Sequence, residues 1–330
     1  MATILTCLAR FMAGRFLCVL ASCARRRPVG RGDVTAHIRA AAVLAHSSHQ
    51  DNRGERPCGT LHSPGPSPMP GSGARKGDRA MTASRQTVPY HVEGADRPAR
   101  WVITCDHASN RVPEDVGDGD LGLPPEDMER HIAYDVGAAG VARALAEALD
   151  APVILSDFSR LVIDPNRGED DPTLLMKVYD GSIIPANRHA DSAEIERRLA
   201  RYHRPYHRAI EALIAARDNP VLVAIHSFTP QFVGRPPRPW HVGVLYAADT
   251  RLALPLLARL NAEPDLCVGD NQPYSGHLPG DALDRHGVQT GLPHVLVEVR
   301  NDLIGTEDAQ AAWGRRLAPM LDAALRIAEV

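Results

Sequence analysis

The sequence predicts an α/β fold: a mostly parallel, mixed sheet with helices covering both faces. Three observations carry that expectation. Five short apolar runs rich in Val, Ile and Leu recur from Trp101 onward. Segments with helical spacing of apolar residues separate them. Polar residues stand where several of these runs stop, which is where such sheets place their ligands.

The elements follow in chain order. Trp101–Cys105 is the first buried strand. Val136–Leu149 is a helix, with Val141, Leu145 and Leu149 forming one buried stripe. Pro152–Ser156 is the second strand. A long helix is expected over Ser192–Ala216, capped by Asp191 and Ser192 ahead of Glu194. Ile195, Leu199, Tyr202, Tyr206, Ile210 and Leu213 run down one side of it, and Pro205 marks a kink. Val221–His226, His241–Tyr246 and His294–Val299 complete the strands. The last helix covers about Thr306–Ala328, with Glu307 and Asp308 in its first turn, where negative charge suits the helix dipole.

Composition narrows the function classes. The chain has 330 residues, 44% hydrophobic and 23% charged, enough to bury a real core. The net charge of −3 hides an asymmetry: residues 1–80 hold twelve Lys and Arg against four Asp and Glu. That segment is therefore at +8 and the remainder at −11. An acidic body lacks the clustered cationic face that nucleic acid requires, so a small-molecule enzyme is the expectation. Four of the six cysteines (Cys7, Cys18, Cys23, Cys58) precede residue 60, leaving Cys105 and Cys267 for the body. No CxxC pair occurs, so neither a cysteine zinc site nor a redox motif is supported, and a reducing cytoplasm fits best.

Residues 1–87 are expected to lie outside the folded body. The longest charge-free run near the start, Phe16 to Cys23, is far below the ~20 residues a membrane span needs. Arg25, Arg26 and Arg27 follow the apolar stretch, the reverse of a secretory signal. The Arg-rich, acid-poor character is also that of an organelle transit peptide. Between Asp51 and Ala80, eleven of thirty residues are Gly or Pro, a composition that predicts disorder. Met81 follows directly, so residues 1–80 read equally well as a flexible tail or as an upstream extension of the reading frame. The folded domain is taken as residues 88–330.

Chemistry-bearing residues gather at strand ends. The first strand ends in Cys105-Asp106-His107, the third in Ile225-His226-Ser227, and the last carries Glu298 beside Arg300. Parallel strands would bring these ends to one rim. Two imidazoles and two acids there are the group set of a catalytic zinc site, which takes three ligands and leaves a fourth position open. Taken singly, each strand-end His is more often a hydrogen-bonded structural residue. Asp135, just before a helix, is favoured as the third ligand, although Asp is also an ordinary helix cap. Glu114, seven residues after His107, is its rival. In Ser159–Arg167, Arg160 and Arg167 flank an apolar run, and a guanidinium fork matches a carboxylate or an oxyanion. The plainer reading pairs them with Glu169, Asp170 or Asp171 at the surface.

Other residues favour the plainer reading. His203 and His207, beside Arg204 and Arg208, are expected on a solvated helix face. His241, His277, His286 and His294 have no spacing that demands a site. Tyr274 lies in a turn cluster that is able to close over a substrate. No Gly-x-Ser-x-Gly occurs, and no glycine-rich loop precedes a helix, so a serine hydrolase and a nucleotide site are both disfavoured. Cys105 and His107 are i, i+2 on a strand, ~6.5 Å apart, too far for direct activation of a thiol.

A set of strings resembles the N-formylglutamate amidohydrolase family: Asp106-His107-Ala108-Ser109-Asn110, His131-Ile132-Ala133-Tyr134-Asp135-Val136-Gly137, Ser159 through Arg167, Tyr206-His207, His226-Ser227-Phe228, and Val297 through Ile304. They fall in order across roughly residues 100–325. The resemblance implies a zinc-exopeptidase-like (phosphorylase/hydrolase-like) fold. It also implies that His107, Asp135 and His226 bind zinc and that Glu298 is the general base. Arg160 would polarise the carbonyl, Asn166 and Arg167 would take the substrate carboxylate, and Arg300 and Tyr206 would stand on the substrate side. Zinc exopeptidases place an acid three residues after the first His, where this chain has Asn110. The implied reaction is hydrolysis of a linear amide in a small anionic substrate, an N-acylated acidic amino acid such as N-formyl-L-glutamate. A zinc carboxypeptidase or amidase acting on a peptide-like substrate, and a non-catalytic binding protein of the same fold, are the alternatives.

Overall fold

Short apolar runs become strands here because their neighbours bury both faces. The computed structural model describes residues 88–328, except Val233 and His277. The expectations for residues 1–87 and for His277 lie outside the described residues. In chain order the elements are β1 Tyr90–Glu93, β2 Trp101–Cys105, α1 Pro125–Met128, α2 Ala138–Ala148, β3 Val153–Ser156, β4 Val178–Tyr179, β5 Ser182–Ile183, α3 Ser192–Arg198, α4 Arg204–Ala215, β6 Val221–Phe228, β7 Val242–Leu245, α5 Ala253–Asn261, β8 Val268–Asp270, β9 His294–Arg300 and α6 Glu307–Ala328.

Seven strands form one sheet in the order β1-β3-β2-β6-β9-β7-β8, while β4 and β5 make a separate hairpin. Strands β3, β2, β6 and β9 pair in parallel. Their carboxyl ends therefore lie on one rim. At one end β1 runs antiparallel to β3, and toward the other β7 runs antiparallel to β9. The five expected strands are present. The short strands β1 and β8 and helix α5 were not expected; α5 carries Pro255 in its first turn, and a three-residue strand gives almost no periodic signal.

The two-residue period of a strand sorts its side chains between two cores. Val221, Val223 and Ile225 of β6, with Val295, Val297 and Val299 of β9, pack against α2, α5 and α6. Leu222, Ala224 and Leu296 point the other way, onto Tyr206, Ile210 and Leu213 of α4. Continuing that alternation puts His226 and Glu298 on the α4 face. A third cluster lies beneath the long loops, where Val116, Phe158, Leu161, Ile163, Ile184, Leu199 and Tyr202 are buried together. It holds the loop that follows β3.

The long helix expected over Ser192–Ala216 is interrupted by a π turn at Leu199–His203. Pro205 has no N–H to continue the ladder, and one extra residue per turn just before it absorbs the defect. Asp191 caps α3, its carboxylate accepting from Glu194 N at 2.9 Å. The solvated face expected for His203 and His207 is not observed. The two rings are 1% and 0% exposed and packed 4.3 Å apart, because the π turn rotates His203 inward onto Arg167 O.

Candidate active site

His107 lies just past the end of β2, and Asp135 reaches it by backbone: Asp135 N donates to His107 O at 2.9 Å. Helix α2 begins only at Ala138, so Asp135 does not cap it. Gly137 takes that position at φ 80°, and a Cβ there would collide with Ile304 O. Only glycine makes this turn, which frees the Asp135 carboxylate to aim into the site.

Three side chains converge. Nδ1 of His107 lies 3.3 Å and Nδ1 of His226 lies 2.9 Å from the same oxygen, Asp135 Oδ2. One potential ligand atom from each of His107, Asp135 and His226 falls within 4.8 Å of the others, and all three residues are buried. The far ring nitrogens meet two further acids: His107 Nε2 is 2.7 Å from Asp164 Oδ1, and His226 Nε2 is 3.0 Å from Asp106 Oδ2. An outer carboxylate that fixes ring orientation and tautomer is the usual backing of a metal-binding histidine. Asp106 is itself held by Tyr206 Oη at 2.8 Å, and Asp164 by Asn166 N at 2.9 Å.

The charges suit a bound cation. Burial alone would raise the Asp135 carboxyl, but the charge and hydrogen bond of His107 and the hydrogen bond of His226 hold it well below the usual range. Burial would likewise lower His226, yet its bonds to Asp106 and Asp135 drive it well above an ordinary imidazole. Positive charge is thus favoured between the carboxylates of Asp106 and Asp135, which is the electrostatic setting a bound cation requires. Glu298 Oε2 is buried with no hydrogen-bond partner, and His131 Nδ1 and Asp135 Oδ1, also buried, lie 3.3 Å apart without forming an aligned hydrogen bond. His131, driven down to about 4 chiefly by burial, is neutral. Glu298 is raised to about 7, again chiefly by burial.

These groups line a cavity of about 350 Å³ that also exposes Arg160, Asn166, Arg167, Tyr179, Tyr274 and Asp281. Arg160 spends its Nε and Nη2 on Asp164 Oδ2, at 3.2 and 2.8 Å, and its Nη1 stands 3.5 Å from Asp135 Oδ1. This is a buried pair, not the surface pair with residues 169–171. Arg167 donates from Nε to Thr173 Oγ1 and from Nη1 to Asn166 O. Asn166 Oδ1 accepts from Ala282 N.

Two expected substrate residues are placed elsewhere. Tyr206 is absent from the cavity wall because its hydroxyl is bound to Asp106. Arg300 points outward to Asp302 and to the carbonyls of residues 238–240. Glu114 is exposed, and Asn110 donates to Met128 O, so neither joins the cluster. No role is legible in the sequence for Asp164, His131, Tyr179 or Asp281, and Asp106 is placed at the strand end without its backing role. Asp106 had one available signal, its place beside His107 at the strand end.

A cluster of this composition at the carboxyl rim of an α/β sheet is a donor set able to hold a divalent metal beside a buried acid. The chain belongs to the N-formylglutamate amidohydrolase family, whose model matches residues 99–305. A crystal structure of a gene product from Agrobacterium tumefaciens is 35% identical, covers 74% of this chain and 98% of its own, and superposes with a TM-score of 0.70. An N-formylglutamate amidohydrolase from Ralstonia eutropha JMP134 is 23% identical over 74% of this chain and 98% of its own, with a TM-score of 0.56. A metallo-carboxypeptidase from Burkholderia cenocepacia is 16% identical over 69% of this chain and 56% of its own, with a TM-score of 0.31. No curated protein matches the sequence.

Proposed function

We propose that this protein hydrolyses the linear amide bond of an N-acylated amino acid bearing a carboxylate, and that the reaction depends on zinc held by His107, Asp135 and His226. N-formyl-L-glutamate is the acidic substrate that the family resemblance implies. The observation that carries this reading is the convergence of two imidazole nitrogens and one carboxylate on a point beside the buried, unpartnered acid Glu298.

Zinc, when bound, supplies the Lewis acidity that polarises an amide carbonyl and activates water. The chain's own groups do the rest. Glu298, with a pKa near neutrality, takes the proton from the attacking water and returns it to the leaving nitrogen. Arg160, locked by Asp164, presents Nη1 to the oxyanion without having to reorganise. Asn166 and Arg167 take a carboxylate, since Asn166 Nδ2 and Arg167 Nη2 have no partner among the described residues. Tyr179 and Tyr274 wall the cavity against water. No helix among the described residues is long and apolar enough to cross a membrane. The free thiols Cys105 and Cys267 support a cytoplasmic setting.

A peptide-like substrate is the second reading, favoured by a neighbouring cavity of about 320 Å³ that shares His131, Tyr179 and Phe232 with the first. The test is zinc analysis of the purified protein together with turnover of N-formyl amino acids and short peptides. One zinc per chain and release of formate from N-formyl-L-glutamate is the expected result. Protein without zinc, inert after zinc addition, would point instead to a non-catalytic binding protein of the same fold.

A further inference from the structure

Arg160 and Arg167 line the cavity, Arg238 packs on two of its wall residues, Phe232 and Tyr274, and Arg300 binds the backbone of the Arg238 loop; the donors of the four are spent very differently. A guanidinium has five N–H groups, and its Nε–Nη2 edge matches a carboxylate side-on. Arg160 gives that edge to Asp164. Arg300 gives Nε to Asp302 and Nη1 to three backbone carbonyls. Arg167 gives Nε to Thr173. Arg238 is different. Its Nη1 donates to Thr229 O at 3.1 Å and to Tyr274 Oη at 3.2 Å, while Nε and Nη2 have no acceptor among the described residues. It forms no ion pair among them either.

The side chain is nonetheless held in place. Its guanidinium carbon lies 4.1 Å from the Phe232 ring centre and 5.0 Å from that of Tyr274, and both rings line the cavity. Arg238 N closes its loop onto Pro230 O at 2.8 Å. From β9, Arg300 Nη1 grips the carbonyls of Arg238, Pro239 and Trp240 at 3.2–3.4 Å. A half-buried cation, stacked between aromatic rings with its bidentate edge unused, is built to receive an anion.

We propose that Arg238 is a substrate-binding residue that holds a carboxylate side-on. With Arg167 and Asn166 taking one carboxylate of the proposed acidic substrate, Arg238 takes the other. The inference rests on the amide-hydrolase reading of the cavity.

The full chain is assayed with N-formyl-L-glutamate and its neutral isostere N-formyl-L-glutamine, and binding of the product L-glutamate is measured by calorimetry. Arg238→Met is expected to reduce kcat/KM for the glutamate substrate roughly 10- to 100-fold, mainly through KM, as loss of a charge-assisted hydrogen-bonded pair implies. The preference for glutamate over glutamine should fall about as much, with zinc content unchanged. Arg238→Lys, which keeps the cation but not the planar fork, should restore only part of that preference and serves alone if the Met variant does not fold. An equal loss on both substrates, or none, overturns the proposal. If the parent cleaves neither compound, the amide reading fails and binding decides. Arg238-dependent binding of L-glutamate then supports the anchor, whereas equal binding by parent and variant, or none by the parent, overturns it.

Discussion

His226 and Glu298 are register partners on the parallel strands β6 and β9, side by side on the sheet face that carries the cavity. The sheet thus sets the distance between a candidate metal ligand and a candidate base through backbone hydrogen bonds, leaving little to side-chain flexibility. Glu298→Gln removes the proton acceptor while keeping size and register. The variant should bind zinc as the parent does and lose about 10²- to 10⁴-fold in turnover. Metal analysis and single-turnover kinetics check both halves, and near-parental turnover would remove Glu298 from the chemistry.

The same acid makes the metal-free fold pH-dependent. The folded pKa of Glu298 is raised from 4.5 to about 7 by burial. Between those values the folded state keeps a proton that the unfolded state has lost, so stability falls as pH rises through the window. Glu298→Gln is neutral throughout and escapes that loss. In chelator-treated protein the variant should be the more stable by about 1–3 kcal/mol at pH 8, with the gap closing toward pH 4.5. Urea denaturation at both pH values measures it. A gap that does not change with pH would mean the carboxyl is not held near neutrality.

Asp164 and Asp106 back the two histidines from outside the cluster, at 2.7 and 3.0 Å. Asp106→Asn and Asp164→Asn leave the three ligand atoms in place but remove the charge that orients each ring. Each should weaken zinc binding by about 10- to 100-fold. Competition with a chromogenic chelator gives the constants. Unchanged affinity would mean that these acids only fill buried space.

The fold and the cluster were legible for different reasons. Strands Trp101–Cys105, Val221–Phe228 and His294–Arg300 announce themselves as apolar runs, and parallel pairing alone brings His107, His226 and Glu298 to one rim. What supports the cluster was hidden. Asp164 pairs with Arg160 four residues away, but its contact with His107 spans 57 residues, with α1, α2 and β3 between them, and leaves no periodic trace. Arg300 lies two residues after Glu298, on the same side of a pleat, yet it follows the strand's last turn outward and binds backbone. His203 and His207 look solvated beside Arg204 and Arg208 because a π turn, which shifts every following side chain by one position, cannot be read from spacing.

Gly243 faces Glu298 across the antiparallel pair β7–β9. A Cβ at this position would collide with Gln272 O, so a side chain must push back the loop that carries Tyr274. Gly243→Ala should lower stability by about 1–3 kcal/mol through overpacking. It should also impair substrate binding more than zinc binding, since the loop walls the cavity and the ligands do not touch it. Thermal melts, zinc affinity and KM measured on one preparation separate these effects, and an unaffected KM would show that the loop moves without consequence for the site.

Arg198 holds the Arg160–Asp164 loop from a distance. It is buried, and its Nη1 donates to Val162 O and to Asn187 Oδ1, both at 2.8 Å. Asn187 in turn donates to Leu161 O at 2.7 Å, so the two side chains pin the backbone between Arg160 and Asp164. Glu194 neutralises Arg198 through a 2.7 Å bond to Nε. Its pKa is lowered to about 2 by the hydrogen bond of Arg197 and then that of Arg198, against burial. A depressed acid stabilises the fold above its unfolded value of 4.5 and loses that contribution as pH falls toward 2. Glu194→Gln should therefore cost about 1–3 kcal/mol at pH 7 and progressively less below pH 4. Arg198→Met leaves the Asn187 and Val162 acceptors unpaired while Arg197 still holds Glu194, and should cost about 2–5 kcal/mol with a matching loss of turnover. If Arg198→Met folds stably and turns over at the parental rate, the Arg160–Asp164 segment is held by the Phe158 and Leu161 packing alone.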